Sequence, residues 1–153
     1  MTVYLNNDDQ TQRFGKQLAS LAKPGDIFIL TGELGAGKTT FSKGFAKGLG
    51  IKQMIKSPTY TLIREYDTGR LPLYHMDVYR IEGDAGDLGL EEYFDGDGVC
   101  LIEWGEIIKD SLDNDFIEIF LHKTPEDTRF ITVEHRGAKE RFNQITDMMA
   151  AYD

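Results

Sequence analysis

Residues 32–39 read Gly-Glu-Leu-Gly-Ala-Gly-Lys-Thr and fit the pattern G-x-x-x-x-G-K-[ST]. Residue types at that spacing suit phosphate chemistry. Small residues at Gly35, Ala36 and Gly37 let backbone N–H groups turn inward around phosphate oxygens. A helix starting at Lys38 points its positive end at the same anion. Lys38 is placed to reach the β- and γ-phosphates, and the Thr39 hydroxyl to ligate Mg²⁺. The nucleotide contacts expected from the loop are Glu33, Leu34, Gly35, Ala36, Gly37, Lys38, Thr39 and Thr40.

Such a site also needs an acid near the magnesium, usually at the end of a buried strand. Two segments end that way. Leu73 to Met76 leads to Asp77, and Val99 to Ile102 leads to Glu103. One acid can hold Mg²⁺ through water while the other orients the attacking water; the sequence leaves open which does which. Ser57-Pro58-Thr59-Tyr60-Thr61 is either a switch loop, with Thr59 or Thr61 sensing the γ-phosphate, or an ordinary helix-to-strand turn. In an extended segment His75, Asp77 and Tyr79 share one face, and so polar a face is expected to line the site. No second cluster of histidines accompanies His75, so a metal site built on it is not expected. Trp104 can stack on the base, meet a partner or fill the core. Arg64, Arg70 and Arg80 are open between phosphate or partner contacts and exposed salt bridges. The single cysteine, Cys100, reads as a small core residue.

These groups need elements to position them. The apolar run 26–31 predicts a buried strand directly before the glycine-rich loop. A helix follows from Lys38, with Phe41, Phe45 and Leu49 facing inward and Gly50 able to end it. Ahead of the strand, Asn7 or Asp8 can cap a helix reaching about Ala22, with Phe14, Leu18 and Leu21 on one face. Residues 3–5 suggest a short edge strand. Residues 59–66 and 71–78 read as extended arms of a hairpin turning near Thr68-Gly69-Arg70. Residues 84–94 are helical or irregular. Residues 99–103, 116–122 and 129–135 are further strands, and a last helix runs from about Ala138 to Ala150. Alternating strands and helices predict an α/β fold: a three-layer sandwich of the P-loop type, its central sheet mostly parallel with an antiparallel portion. No repeat or linker divides residues 1–153, so one domain is expected.

The chain has 153 residues, 41% of them hydrophobic, which suffices for a core and argues against disorder. Its longest apolar runs are far shorter than the roughly 20 residues of a membrane helix. The acidic first ten residues do not resemble a signal peptide, so a cytoplasmic location is expected. The formal net charge of -9 disfavours a broad grip on nucleic acid. Charge is uneven, however. Between Leu34 and Arg64 there are five lysines, one arginine and no carboxylate; from Glu82 to Glu118 there are 13 carboxylates and one lysine. These are either two solvated faces, or a basic site for a polyanion and an acidic face for a basic partner. Absence of Asn-Lys-x-Asp favours ATP over GTP. Residues 83–98 carry no Arg or Lys, so an arginine-rich lid of the small-molecule-kinase type is not expected there.

The combination of residues 32–40 (GELGAGKTT), 57–62 (SPTYTL), His75-x-Asp77-x-Tyr79-Arg80, 89–94 (GLEEYF) and 101–106 (LIEWGE) resembles the TsaE family of small bacterial P-loop ATPases. The resemblance spans about half the chain. It implies a cytoplasmic, Mg²⁺-dependent ATPase, weak alone, that supports N6-threonylcarbamoyladenosine formation in tRNA. It also implies TsaD and TsaB as protein partners, with tRNA met only through that pair and no membrane; it leaves self-association open. By the same resemblance Lys38 meets the phosphates, Thr39 and Glu103 hold Mg²⁺, and Asp77 is a catalytic acid/base or second magnesium contact. Thr59 then belongs to a switch-like loop, and Trp104 lies on the nucleotide or partner side.

Overall fold

The computed structural model describes residues 2–33, 35–55, 63–78, 90–105 and 108–152. The expectations for Leu34, Thr59, Thr61, Tyr79 and Arg80 lie outside these residues. In chain order the elements are β1 (Thr2–Leu5), α1 (Asp8–Leu21), β2 (Ile27–Thr31), α2 (Lys38–Gly48), β3 (Ile63–Tyr66) and β4 (Leu73–Asp77). They continue with α3 (Glu91–Phe94), β5 (Val99–Glu103), β6 (Phe116–Lys123), β7 (Arg129–Arg136) and α4 (Lys139–Ala150).

All seven strands form one sheet in the order β1-β7-β6-β2-β5-β4-β3. Strands β6, β2, β5 and β4 are parallel to one another. Strand β3 closes one side antiparallel to β4, while β7 and β1 close the other. The expected mixed sheet is therefore present, and its parallel part is central. Burial explains the arrangement. Strand β2 is apolar from Ile27 to Leu30 because both its faces are covered there. Phe28 and Leu30 pack into the cluster shared with α1, α2 and α4, whereas Ile27 and Ile29 join Leu90, Phe94, Ile108 and Leu112 on the opposite face.

Helix α1 begins where Asn7 accepts a hydrogen bond from the Gln10 N–H at 2.9 Å, satisfying one of the unpaired amides of the first turn. Helices α1 and α2 approach unusually closely. A Cβ on Gly44 would lie 2.1 Å from the Gln12 carbonyl oxygen, and one on Gly15 2.6 Å from that of Phe41. Only glycine allows that contact. The crossing presses Phe41 and Phe45 into the core, where Phe45 meets Phe28 edge-on at 5.5 Å between ring centroids. At the far end of the chain, Arg141 Nε donates to Asp26 Oδ2 at 2.6 Å, fastening α4 to the start of β2.

Arg70 makes contacts that neither reading offered for it included. It donates to the carbonyls of Ala19 and Ala22 at 2.9 and 3.0 Å. It thus serves the C-terminus of α1, where cations and donors are favoured. Among the described residues no helix is long and apolar enough to cross a membrane.

Candidate functional site

The chemistry gathers where β2, β4 and β5 end. Asp77 and Glu103 are paired in register on adjacent parallel strands, so their side chains leave the same face side by side. Glu103 is also paired with Leu30 of β2, immediately before the turn into the glycine-rich loop. Lys38 comes from the first turn of α2. All three are buried, although each is charged. They line one cavity of about 430 Å³, together with Gly35, Gly37, Thr39, Thr40 and Trp104.

The loop has the geometry that its composition predicts. Gly35 and Gly37 adopt φ of 83° and 103°, a region that side chains with a Cβ rarely enter. Gly32 is needed for a different reason: a Cβ there would lie 2.8 Å from the Leu121 carbonyl oxygen. The Ala36 N–H donates to the Glu33 carbonyl at 3.0 Å and curls the loop. Helix α2 opens at Gly37 without a side-chain cap. Its first amides and its dipole face the cavity, and its N-cap residue offers them no side-chain bond.

His75 explains how a buried Glu103 is held. Its Nε2 lies 2.7 Å from Glu103 Oε2, with both side chains buried, and its Nδ1 has no hydrogen-bond partner. The arrangement favours the tautomer whose Nε2–H donates to the carboxylate. Nδ1 is then an acceptor left without a partner among the described residues. The expected polar face of the β4 segment thus lines the site at Asp77 and braces it at His75.

Trp104 follows Glu103 with φ of 63°, unusual for a bulky residue. A left-handed conformation costs roughly 1–2 kcal/mol and persists where surrounding contacts enforce it. One contact is visible: Lys38 Nζ sits 4.0 Å from the centroid of the Trp104 ring, a cation–π geometry. Trp104 therefore lies beside the loop lysine rather than filling the core alone.

Beneath the loop entry, Glu118 is buried in β6. It accepts from the Thr31 hydroxyl at 2.7 Å and pairs with Lys109 at 3.1 Å. Both carboxylate oxygens are satisfied, and the end of β2 is pinned to its neighbour. Burial pushes the Cys100 thiol up to about 12, consistent with a core residue and not a reactive one.

Two cavity residues carried no signal in the sequence. Asp8 lines the cavity from the start of α1, where it reads only as a helix-capping acid. Arg129 lines it from the start of β7 and donates to the loop carbonyls of Gly35 and Ala36, each at 3.0 Å. An isolated arginine after a turn, 93 residues from its partner, has no spacing by which to find it.

Among the described residues no three His, Cys, Asp or Glu side chains converge as a metal cage. Mg²⁺ does not require one. It is commonly held by one or two carboxylates together with water and phosphate oxygens. The hard oxygen donors of Thr39, Asp77 and Glu103 fit that mode.

The sequence model described as "Threonylcarbamoyl adenosine biosynthesis protein TsaE" matches residues 5–131, a stretch that contains every one of these groups. The chain belongs to the TsaE family. A relative from Bacillus subtilis, named tRNA threonylcarbamoyladenosine biosynthesis protein TsaE, is 48% identical over 147 residues, covering 96% of this chain and 92% of the relative. A TsaE of the same name from Treponema pallidum is 46% identical over 125 residues, covering 80% of this chain and 92% of its own. The crystal structure of Bacillus subtilis YdiB superposes with a TM-score of 0.82 at 40% identity, covering 100% of this chain and 95% of that one. The match to YdiB covers more of the chain than the half spanned by the sequence motifs.

Proposed function

We propose that this TsaE-family chain is the Mg²⁺-dependent ATP-hydrolysing subunit of tRNA threonylcarbamoyladenosine biosynthesis, acting on a TsaB–TsaD pair. The observation that carries the hydrolytic reading is the convergence of Lys38, Asp77 and Glu103 on one cavity walled by the glycine-rich loop. A module that only bound nucleotide would not need two carboxylates at paired strand ends. The biosynthetic role rests on the family and on the names of the relatives.

In this reading the loop amides and Lys38 hold the triphosphate, while Thr39 and one of the two carboxylates hold Mg²⁺. Bound Mg²⁺ supplies charge neutralisation at the phosphoryl oxygens. The second carboxylate orients the attacking water. Asp77 and Glu103 are each suited to either task; His75 fixes the orientation of Glu103 in both cases. Lys38 moves from the indole of Trp104 to the phosphates when ATP enters.

The site also gives a reason for weak activity alone. The cations lining the cavity among the described residues are Lys38 and Arg129. The Arg129 guanidinium is already engaged with backbone carbonyls. A further positive group aimed at the transition state is worth orders of magnitude in phosphoryl transfer and can be supplied by a partner. Steady-state ATP hydrolysis with Mg²⁺, with and without TsaB and TsaD, tests the proposal. A low rate that climbs at least about tenfold with the pair is expected, since one charge aimed at the transition state contributes that much or more. A rate indifferent to the pair removes the assigned role but leaves the nucleotide site standing.

A further inference from the structure

We propose that Arg129 sets this protein's nucleotide affinity by holding the glycine-rich loop in its phosphate-binding shape from the β6–β7 turn. The inference rests on the nucleotide reading of the cavity and adds a positioning residue to it.

The geometry is a fork reaching two ways. Toward the loop, Nε donates to the Ala36 carbonyl and Nη2 to the Gly35 carbonyl, both at 3.0 Å. Toward the turn, Nη1 donates to the carbonyls of Asp127 and Thr128 at 3.0 and 3.3 Å. The turn itself is stiff. Thr124 N–H donates to the Thr128 carbonyl at 2.9 Å, the two threonine hydroxyls are 2.7 Å apart, and Asp127 pairs with Lys123 at 3.3 Å. Lys123 and then Arg129 hold the Asp127 carboxyl below the usual carboxylate range. One planar guanidinium therefore joins a closed hairpin turn to the loop.

The consequence for the loop follows from the peptide unit. A trans peptide is planar, with its C=O and N–H pointing in opposite directions. Holding the Ala36 carbonyl against Arg129 therefore aims the Gly37 N–H the other way, toward the anion site. The neighbouring peptide is fixed at both ends, since its N–H on Ala36 donates to the Glu33 carbonyl. The brace matters because of the glycines. Gly35 and Gly37 both sit at positive φ, and a glycine-flanked peptide can rotate at little steric cost. Without Arg129 the loop samples other shapes, and a nucleotide must select the competent one at a cost in affinity. Arg129 is a positioning residue, because its forked donors are committed to carbonyls.

The test is ADP affinity by calorimetry on the full chain, alongside kcat at saturating ATP, for Arg129→Ala and Arg129→Lys. Arg129→Ala is expected to weaken ADP binding about tenfold, with kcat within about threefold, because the loss falls on binding and not on the chemical step. Arg129→Lys is the sharper variant, and it decides the matter if the alanine variant does not fold. Lysine keeps the charge but lacks the planar fork that spans the loop carbonyls on one side and the turn carbonyls on the other. A similar loss is therefore expected, whereas a direct charge contact with phosphate would be rescued. ADP affinity within about twofold of the unsubstituted protein in either folded variant overturns the proposal. An unsubstituted protein that binds neither ADP nor ATP overturns the nucleotide reading, and this inference with it.

Discussion

The two sides of the sheet do different work. On the parallel side, β2, β4 and β5 run the same way, so their C-terminal ends lie together. Thr31, Asp77 and Glu103 emerge there beside the loop that follows β2. On the antiparallel side, β7 and β1 send nothing to the chemistry except Arg129 and the turn behind it. Parallel strands collect side chains from distant parts of the sequence at a single edge, which is why ligands of open α/β sheets bind there. The antiparallel hairpin returns the chain locally and contributes a brace. In the proposed reading the phosphate chemistry belongs to the parallel side, and the antiparallel side adds the Arg129 brace.

Breaking the parallel side should therefore have the larger effect. Lys38→Ala removes the charge nearest the phosphates and the cation beside Trp104. Nucleotide affinity measured by calorimetry is expected to fall about 100-fold, about 2.7 kcal/mol, in line with the loss of charge-assisted bonds. Gly44→Ala comes next, because it attacks the packing beneath that side. Its Cβ has no room against the Gln12 backbone, so α1 and α2 must separate and carry the start of α2 with them. Thermal denaturation should show a loss of about 1–3 kcal/mol, the usual cost of overpacking. A tolerated alanine there would mean that the helix crossing is not what holds α2 in place. The brace on the antiparallel side ranks below both, at the roughly tenfold change in ADP affinity given for Arg129→Ala.

The same division marks what could be read from the sequence. The parallel side was legible because its chemistry is local. The loop is a contiguous motif, and each acid stands at the end of an extended segment, Glu103 directly after an apolar run. The elements around it were also legible: the bounds of α1 and α2 follow from Asn7, from the spacing of Phe41, Phe45 and Leu49, and from Gly50 at φ of 81°. Contacts made across the fold were not. Arg129 meets Ala36 because β6 and β7 turn back beside the loop, and nothing in either residue's neighbourhood encodes that meeting. His75 could be placed on the right face, but its hold on Glu103 depends on the register between β4 and β5. Trp104 could not be assigned, since its left-handed backbone is imposed by packing and not by its type. Nor could the contacts of Arg70 be foreseen: they are helix-terminal carbonyls, which composition does not reveal.

In the proposed mechanism the paired carboxylates at the ends of β4 and β5 drive turnover while the loop holds the nucleotide. The most direct measurement is steady-state ATP hydrolysis by Asp77→Asn and Glu103→Gln beside the unsubstituted protein, with ADP affinity measured on the same samples. Each substitution is expected to lower kcat about 100-fold or more while ADP affinity changes less than about threefold, since the lost interactions belong to the transition state. Turnover at the unsubstituted rate in both variants would contradict it.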